Sequence, residues 1–73
     1  MSRIPRVTAR QVLAALRKAG FALDHVAGSH HIPIGPARQR VTVPLHGGTL
    51  EVGLLHSILR QAGLTVEEFL ALL

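Results

Sequence analysis

The chain has no cysteine, tryptophan or tyrosine, and only two phenylalanines, among its 73 residues. Without Cys there is no disulfide scaffold, thiolate zinc site, iron–sulfur cluster or Cys nucleophile. The lack of Cys also fits a reducing compartment. So few aromatics argue against a reader that stacks bases on exposed rings. Acids are scarce too: only Asp24 and Glu51 lie outside the last helical segment, which holds Glu67 and Glu68. A two-carboxylate metal nuclease is therefore short of ligands. No apolar run approaches the roughly 18 residues that a membrane span needs. The stretch Val12 to Leu16 is stopped by Arg17 and Lys18, and it is shorter than the signal-peptide core of about 7–15 residues. A cytoplasmic protein with no membrane partner is expected.

What is present is aliphatic and basic. Hydrophobic residues make up 48% of the chain and the mean hydropathy is +0.36, so a core can form and disorder is not expected. The length suits one domain over 1–73. Net charge is +4, unevenly spread. Residues 1–40 hold seven basic groups (Arg3, Arg6, Arg10, Arg17, Lys18, Arg38 and Arg40) against the single acid Asp24, a balance of +6. Residues 41–73 hold Arg60 against three Glu, a balance of −2. Seven of the eight cations are Arg, the planar donor suited to phosphate. A polyanionic partner is expected.

Thr8 and Gln11 have capping-box spacing, and Val12, Leu13, Leu16 and Ala19 follow at helical intervals before Gly20. The first helix is expected over 9–19, with Arg10, Arg17 and Lys18 on its outer face. Strands are expected over 21–26, 30–34 and 39–44, close enough in sequence for an antiparallel meander. In the first, Phe21 and Leu23 share one face, and Ala22 and Asp24 the other. Pro33 cannot donate to a ladder and should lie at a strand end or turn its nitrogen away from a neighbour. Leu54, Leu55, Ile58, Leu59 and Ala62 form the core stripe of a second helix ended by Gly63. Thr65 and Glu68 open a short last helix with Val66, Phe69, Leu70 and Leu73 along one side. The fold class is α+β in two layers, with the two main helices covering one sheet face and the other left bare.

Five His (His25, His30, His31, His46 and His56) are the oddity of the composition. Their spacing offers no i,i+4 helical pair and no HExxH motif, so neither metal nor cofactor is expected. There is no nucleophile elbow, P-loop or dinucleotide glycine pattern. The chemistry left is proton transfer by His, with Arg and backbone N–H groups on a phosphate. That suits RNA cleavage through the 2′-hydroxyl, which needs a base, an acid and stabilisation of the phosphoryl charge. A non-catalytic RNA-binding module, or an interaction subunit of a repressor complex, is also compatible with the residues.

Gly28-Ser29-His30, with Gly20-Phe21 before it and Val43-Pro44-Leu45-His46, Ile58-Leu59-Arg60-Gln61-Ala62-Gly63-Leu64 and Glu67-Glu68-Phe69 after it, resembles the HicA family of toxins. These are small mRNA interferases of type II toxin–antitoxin modules. Ala27 and Pro33 depart from the family's usual residues on either side of the motif. The resemblance implies a double-stranded-RNA-binding-domain-like fold, with a helix, a three-stranded antiparallel sheet, a helix and here a short C-terminal helix. It implies an endoribonuclease with His30 as the catalytic residue. It also implies mRNA as substrate and a HicB antitoxin as partner, with DNA contact only through that complex. Around His30, Gly28 lets backbone N–H groups approach a phosphate, and Ser29 can donate to one or orient the ring. Arg40 or Thr42 would share its face if the second and third strands pair. His46 is the second proton-transfer candidate. Arg10, Arg17, Lys18 and Arg38 are the expected RNA-binding cations.

Overall fold

The computed structural model describes residues 4–73; Arg3 lies outside them. The element order is α1 (Ala9–Lys18), β1 (Ala22–Ala27), β2 (His30–Ile34), β3 (Val43–Pro44), α2 (Val52–Ala62) and α3 (Val66–Leu72). The three strands form one antiparallel sheet in the order β1-β2-β3, so the α+β architecture expected from the sequence is the one observed.

Each helix boundary has a local cause. At α1 the Gln11 backbone N–H donates to Thr8 Oγ1 at 3.2 Å and the Thr8 N–H donates to Gln11 Oε1 at 2.8 Å. The reciprocal pair satisfies two donors that would otherwise be orphaned at the helix start. The helix stops at Ala19, and Gly20 follows at φ +95°, where a Cβ would lie 2.9 Å from Pro36 Cγ. At α3 the same box recurs, with Glu68 N–H to Thr65 Oγ1 at 3.0 Å and Thr65 N–H to Glu68 Oε1 at 2.8 Å. The helical face of α3 differs from the expectation at its end. Phe69 is fully buried, but Leu73 lies past the helix and is half exposed, and Leu72 packs against the core instead.

The core is where the helices converge on the third strand. Val12, Ala15 and Leu16 of α1, Leu55, Ile58, Leu59 and Ala62 of α2, and Phe69 of α3 are buried with Val41 and Val43. No polar or charged residue is buried among the described residues. The helical cover is less even than the sequence suggests. All six residues of β1 are exposed. The strand carries only Leu23 and Val26 as large apolar side chains, too little apolar area to hold a helix over it.

The third strand is shorter than the expected 39–44. Only Val43–Pro44 is regular strand, with an isolated antiparallel bridge between Ile34 and Arg40. Pro33 is the cause. The register puts Pro33 opposite Val41, whose N–H donates to the Pro33 carbonyl at 3.1 Å. The return bond of that pair needs an N–H that proline lacks. Pro33 thus sits one residue from the end of β2, but its nitrogen faces a neighbour rather than turning away. The outer edge of the interrupted segment is held by α2: the Thr42 N–H donates to Gln61 Oε1 at 3.0 Å, and Gln39 Nε2 donates to the Ala62 carbonyl at 3.2 Å.

Candidate functional site

The β1–β2 hairpin turns through Gly28 and Ser29, with Ala27 paired to His30. Gly28 takes φ +60° and Ser29 does not have a positive φ, the pattern of a type II′ turn that glycine opens. Nothing lies within 4 Å of a Cβ built on Gly28, so it is the dihedral angle and not crowding that calls for glycine. The turn is tied to the third strand: the Leu45 N–H donates to the Ser29 carbonyl at 2.7 Å, and His30 pairs with Pro44. His30 is therefore held at the end of the sheet, on the hydrogen-bonded hairpin, and is exposed.

Register assigns the faces. Side chains directly opposite in an antiparallel pair share a face, and neighbours along a strand alternate. His30, Ile32 and Ile34 line one face with Ala27, His25 and Ala22 across β1. Pro44, Thr42 and Arg40 complete it on the third strand. No residue on this face is buried, so it is open. His31 and Pro33 point to the other face, the one that Val41 and Val43 line beneath the helices.

A bulge adjusts this assignment in β1. Leu23 pairs with Pro33 and His25 with Ile32, which leaves Asp24 as an extra residue. Up to Asp24 the alternation expected from the sequence holds. Beyond it the faces switch, so His25 stands on the open face rather than beside Leu23. The Asp24 carboxylate accepts from His25 Nδ1 at 2.7 Å, an exposed pair at the bulge.

The residues expected at the site separate into two groups. Gly28, Ser29, His30 and the segment leading to His46 meet at the turn end of the hairpin. His46 lines a cleft of about 400 Å³ with Thr8, Arg10, Gly47 and Gly48, beside the start of α1. Arg40 and Thr42 share the face of His30. Arg40 stands opposite Ile34, four residues along β2 from His30, or about 13 Å at strand rise. Arg38 lies still farther, at φ +64° in the Gly35–Gln39 turn beyond that end. Arg10 and Arg17 line the helical side of the hairpin, and Lys18 is exposed in the last turn of α1. His56 is on the exposed side of α2.

One residue gains a setting that the sequence did not suggest. His31 lines a second cleft of about 350 Å³ together with Arg10, Arg17, Leu13, Leu23 and Pro33. The signal was available in principle, because strand alternation sends His31 to the side opposite His30. It lacked weight without knowing which face α1 would cover.

Among the described residues no group of three or more His, Asp or Glu is placed to hold a metal ion. No described helix is long and apolar enough to cross a membrane. The arrangement offers the exposed imidazole of His30 and the backbone N–H groups of its turn on the open side, and the guanidinium groups of Arg10 and Arg17 on the helical side. An imidazole can exchange a proton near neutral pH, and N–H and guanidinium groups can hold an anionic oxygen. No curated protein matches the chain. A family model described as the HicA toxin of bacterial toxin–antitoxin systems matches residues 9–64, from the first residue of α1 to just past α2. With this match spanning well over half of the chain, and the glycine–serine–histidine turn within it, the protein belongs to the HicA toxin family, the toxins of bacterial toxin–antitoxin modules.

Proposed function

We propose that the protein is a metal-independent endoribonuclease that cleaves mRNA, with His30 as general acid or base and a HicB-type antitoxin as its partner. The observation that carries this reading is the placement of His30, exposed on the open sheet face and locked beside the Gly28-Ser29 turn. The reaction suited to these groups uses the substrate's own 2′-hydroxyl. A base removes its proton, the 2′-oxygen attacks the adjacent phosphorus, and the P–O5′ bond breaks as an acid protonates the leaving oxygen. The products are a 2′,3′-cyclic phosphate and a free 5′-hydroxyl. The attacking oxygen is intramolecular, so its positioning is already supplied. His46 is the candidate for the second proton, and Ser29 and the Gly28 backbone are candidates for the phosphate oxygens.

The test is cleavage of RNA by pure protein in excess EDTA, with end-group analysis and a control substrate carrying a 2′-deoxy sugar at the cut. Cyclic phosphate ends, with no cut in the deoxy linkage, are expected. His30→Ala should slow cleavage by roughly 10²–10⁴-fold, the usual contribution of a positioned proton-transfer group. Since the side chain is exposed, the variant should melt like the parent. A folded variant as active as the parent, a 5′-phosphate product, or loss of activity in EDTA would each refute the mechanism.

A further inference from the structure

We propose that the groove between α1 and the β1–β2 hairpin is a second phosphate-binding site, in which His31, Arg10 and Arg17 hold successive backbone phosphates of RNA away from the one being cut. RNA as the ligand rests on the nuclease reading above; the groove and its charge do not. Arg10 and Arg17 are seven residues apart, two helical turns, so both project from one stripe of α1 and about 10 Å separates them along the axis. His31 reaches the same cleft from β2. Three cationic or ionisable donors thus line one cleft, with no acid among its lining residues. Neither Arg forms a salt bridge among the described residues, and the nearest acid in sequence, Asp24, is engaged by His25. The rest of the lining is apolar, with Leu13 between the two Arg on α1 and Leu23 and Pro33 beside His31 on the hairpin. Donors alternating with aliphatic surface match a nucleotide unit, with phosphate on the donors and sugar or base on the aliphatic side chains.

The groove also has a direction. Arg10 lines both this cleft and the one containing His46. A strand held at Arg17 and His31 can pass Arg10 to His46, at the turn end of the hairpin, and from there reach His30 on the open face. Such a path bends round the hairpin tip, which a single strand follows and a duplex does not. The second site would therefore anchor the substrate on one side of the sheet while the chemistry proceeds on the other.

Binding and cleavage are measured separately to test this. The binding probe is a fluorescein-labelled 12-nucleotide oligouridylate, 2′-O-methylated throughout so that it cannot be cut. His31→Ala should weaken its binding about tenfold, the effect of losing one hydrogen bond to a charged group. Arg10→Gln with Arg17→Gln should shallow the slope of log affinity against log salt by about 1.4, two phosphate contacts on a single strand. In cleavage, the His31→Ala defect should appear in KM, and that of His30→Ala in kcat. Parent-like binding by His31→Ala, or a loss confined to kcat, would overturn the proposal. Inorganic phosphate competing as well as the oligomer would assign the groove to free phosphate. Weakened binding of the purified antitoxin, with RNA binding intact, would assign it to that protein. If the parent binds the probe but cuts no RNA, the nuclease reading fails and the groove remains measurable.

Discussion

The β1–β2 hairpin and the helix-backed half of the domain obey different rules. In the helix-backed half, Val41, Val43, Leu16, Leu55, Ile58 and Phe69 are almost wholly withdrawn from water, and each position is set by packing. In the hairpin, every residue of β1 is exposed, and shape comes from backbone chemistry: a positive-φ glycine at the turn, a bulge at Asp24 and a proline at the ladder. The candidate chemistry sits on the hairpin. A side chain that must meet a phosphate cannot also be buried, so β1 and the turn forgo apolar cover and are held by the turn itself, by pairing with β2 and by the Leu45–Ser29 bond. The lesson is that the two halves should respond differently to substitution.

The largest effect is expected in the packed half. Phe69→Ala removes the largest fully buried side chain and should cost about 3–5 kcal/mol. A single core in a domain below about 80 residues rarely supplies more than about 3–5 kcal/mol, so this variant should be largely unfolded by circular dichroism at 37 °C. Phe69 lies outside the family match at 9–64, yet it seals the core. A cooperative melt close to that of the parent would show that α3 is an accessory.

An intermediate effect is expected at the turn. Gly28→Ala meets no steric obstacle but must hold φ +60°, at about 1–2 kcal/mol for an L-residue. At roughly 4–8 °C per kcal/mol for a domain of this size, thermal melting should show a drop of about 5–15 °C. Cleavage should fall further than stability, because the turn positions His30. Gly35→Ala is a sharp control: its Cβ would stand 2.5 Å from Gln39 Cδ and 2.7 Å from Phe21 Cε2, so its cost is steric. Equal melting for parent and Gly28→Ala would mean that the turn is not held by the dihedral angle.

The smallest effect belongs to the exposed strand. Val26→Thr keeps the β-branched shape at a half-exposed position and should shift stability by no more than about 0.5 kcal/mol. A chemical denaturation midpoint well below that of the parent would reveal apolar contacts in the hairpin and weaken the contrast between the halves.

Much of this arrangement was legible in one dimension. Both capping boxes, the left-handed glycines after α1 and α2, the buried stripe of α2 and a turn before His30 follow from local rules, although the sequence places the turn over 27–29 and Ala27 instead pairs with His30 in the strand. The hydrogen bonds and dihedrals concerned span four residues or fewer. Strand alternation also offered Arg40 or Thr42 for the face of His30 on condition that the second and third strands pair, and the observed register meets that condition. The family resemblance likewise rested on short segments in order along the chain, and those are fully present in the sequence.

Tertiary structure decided what depends on distance between elements. Strand alternation alone could separate His30 from His31 but could not say which of them would face α1, since that needs the position of the helix. The bulge at Asp24 reverses the faces of β1 beyond that point, and it exists only in the pairing with β2. The third strand shortened because the missing N–H of Pro33 fell opposite Val41, a coincidence of register. Arg10, Arg17 and His31 came to line one cleft because the fold brings the basic stripe of α1 to the side of β2 that His31 faces. Local rules state what each residue prefers; which preferences meet is settled by packing, because Val41, Val43 and Phe69 can leave water only where strands and helices come together.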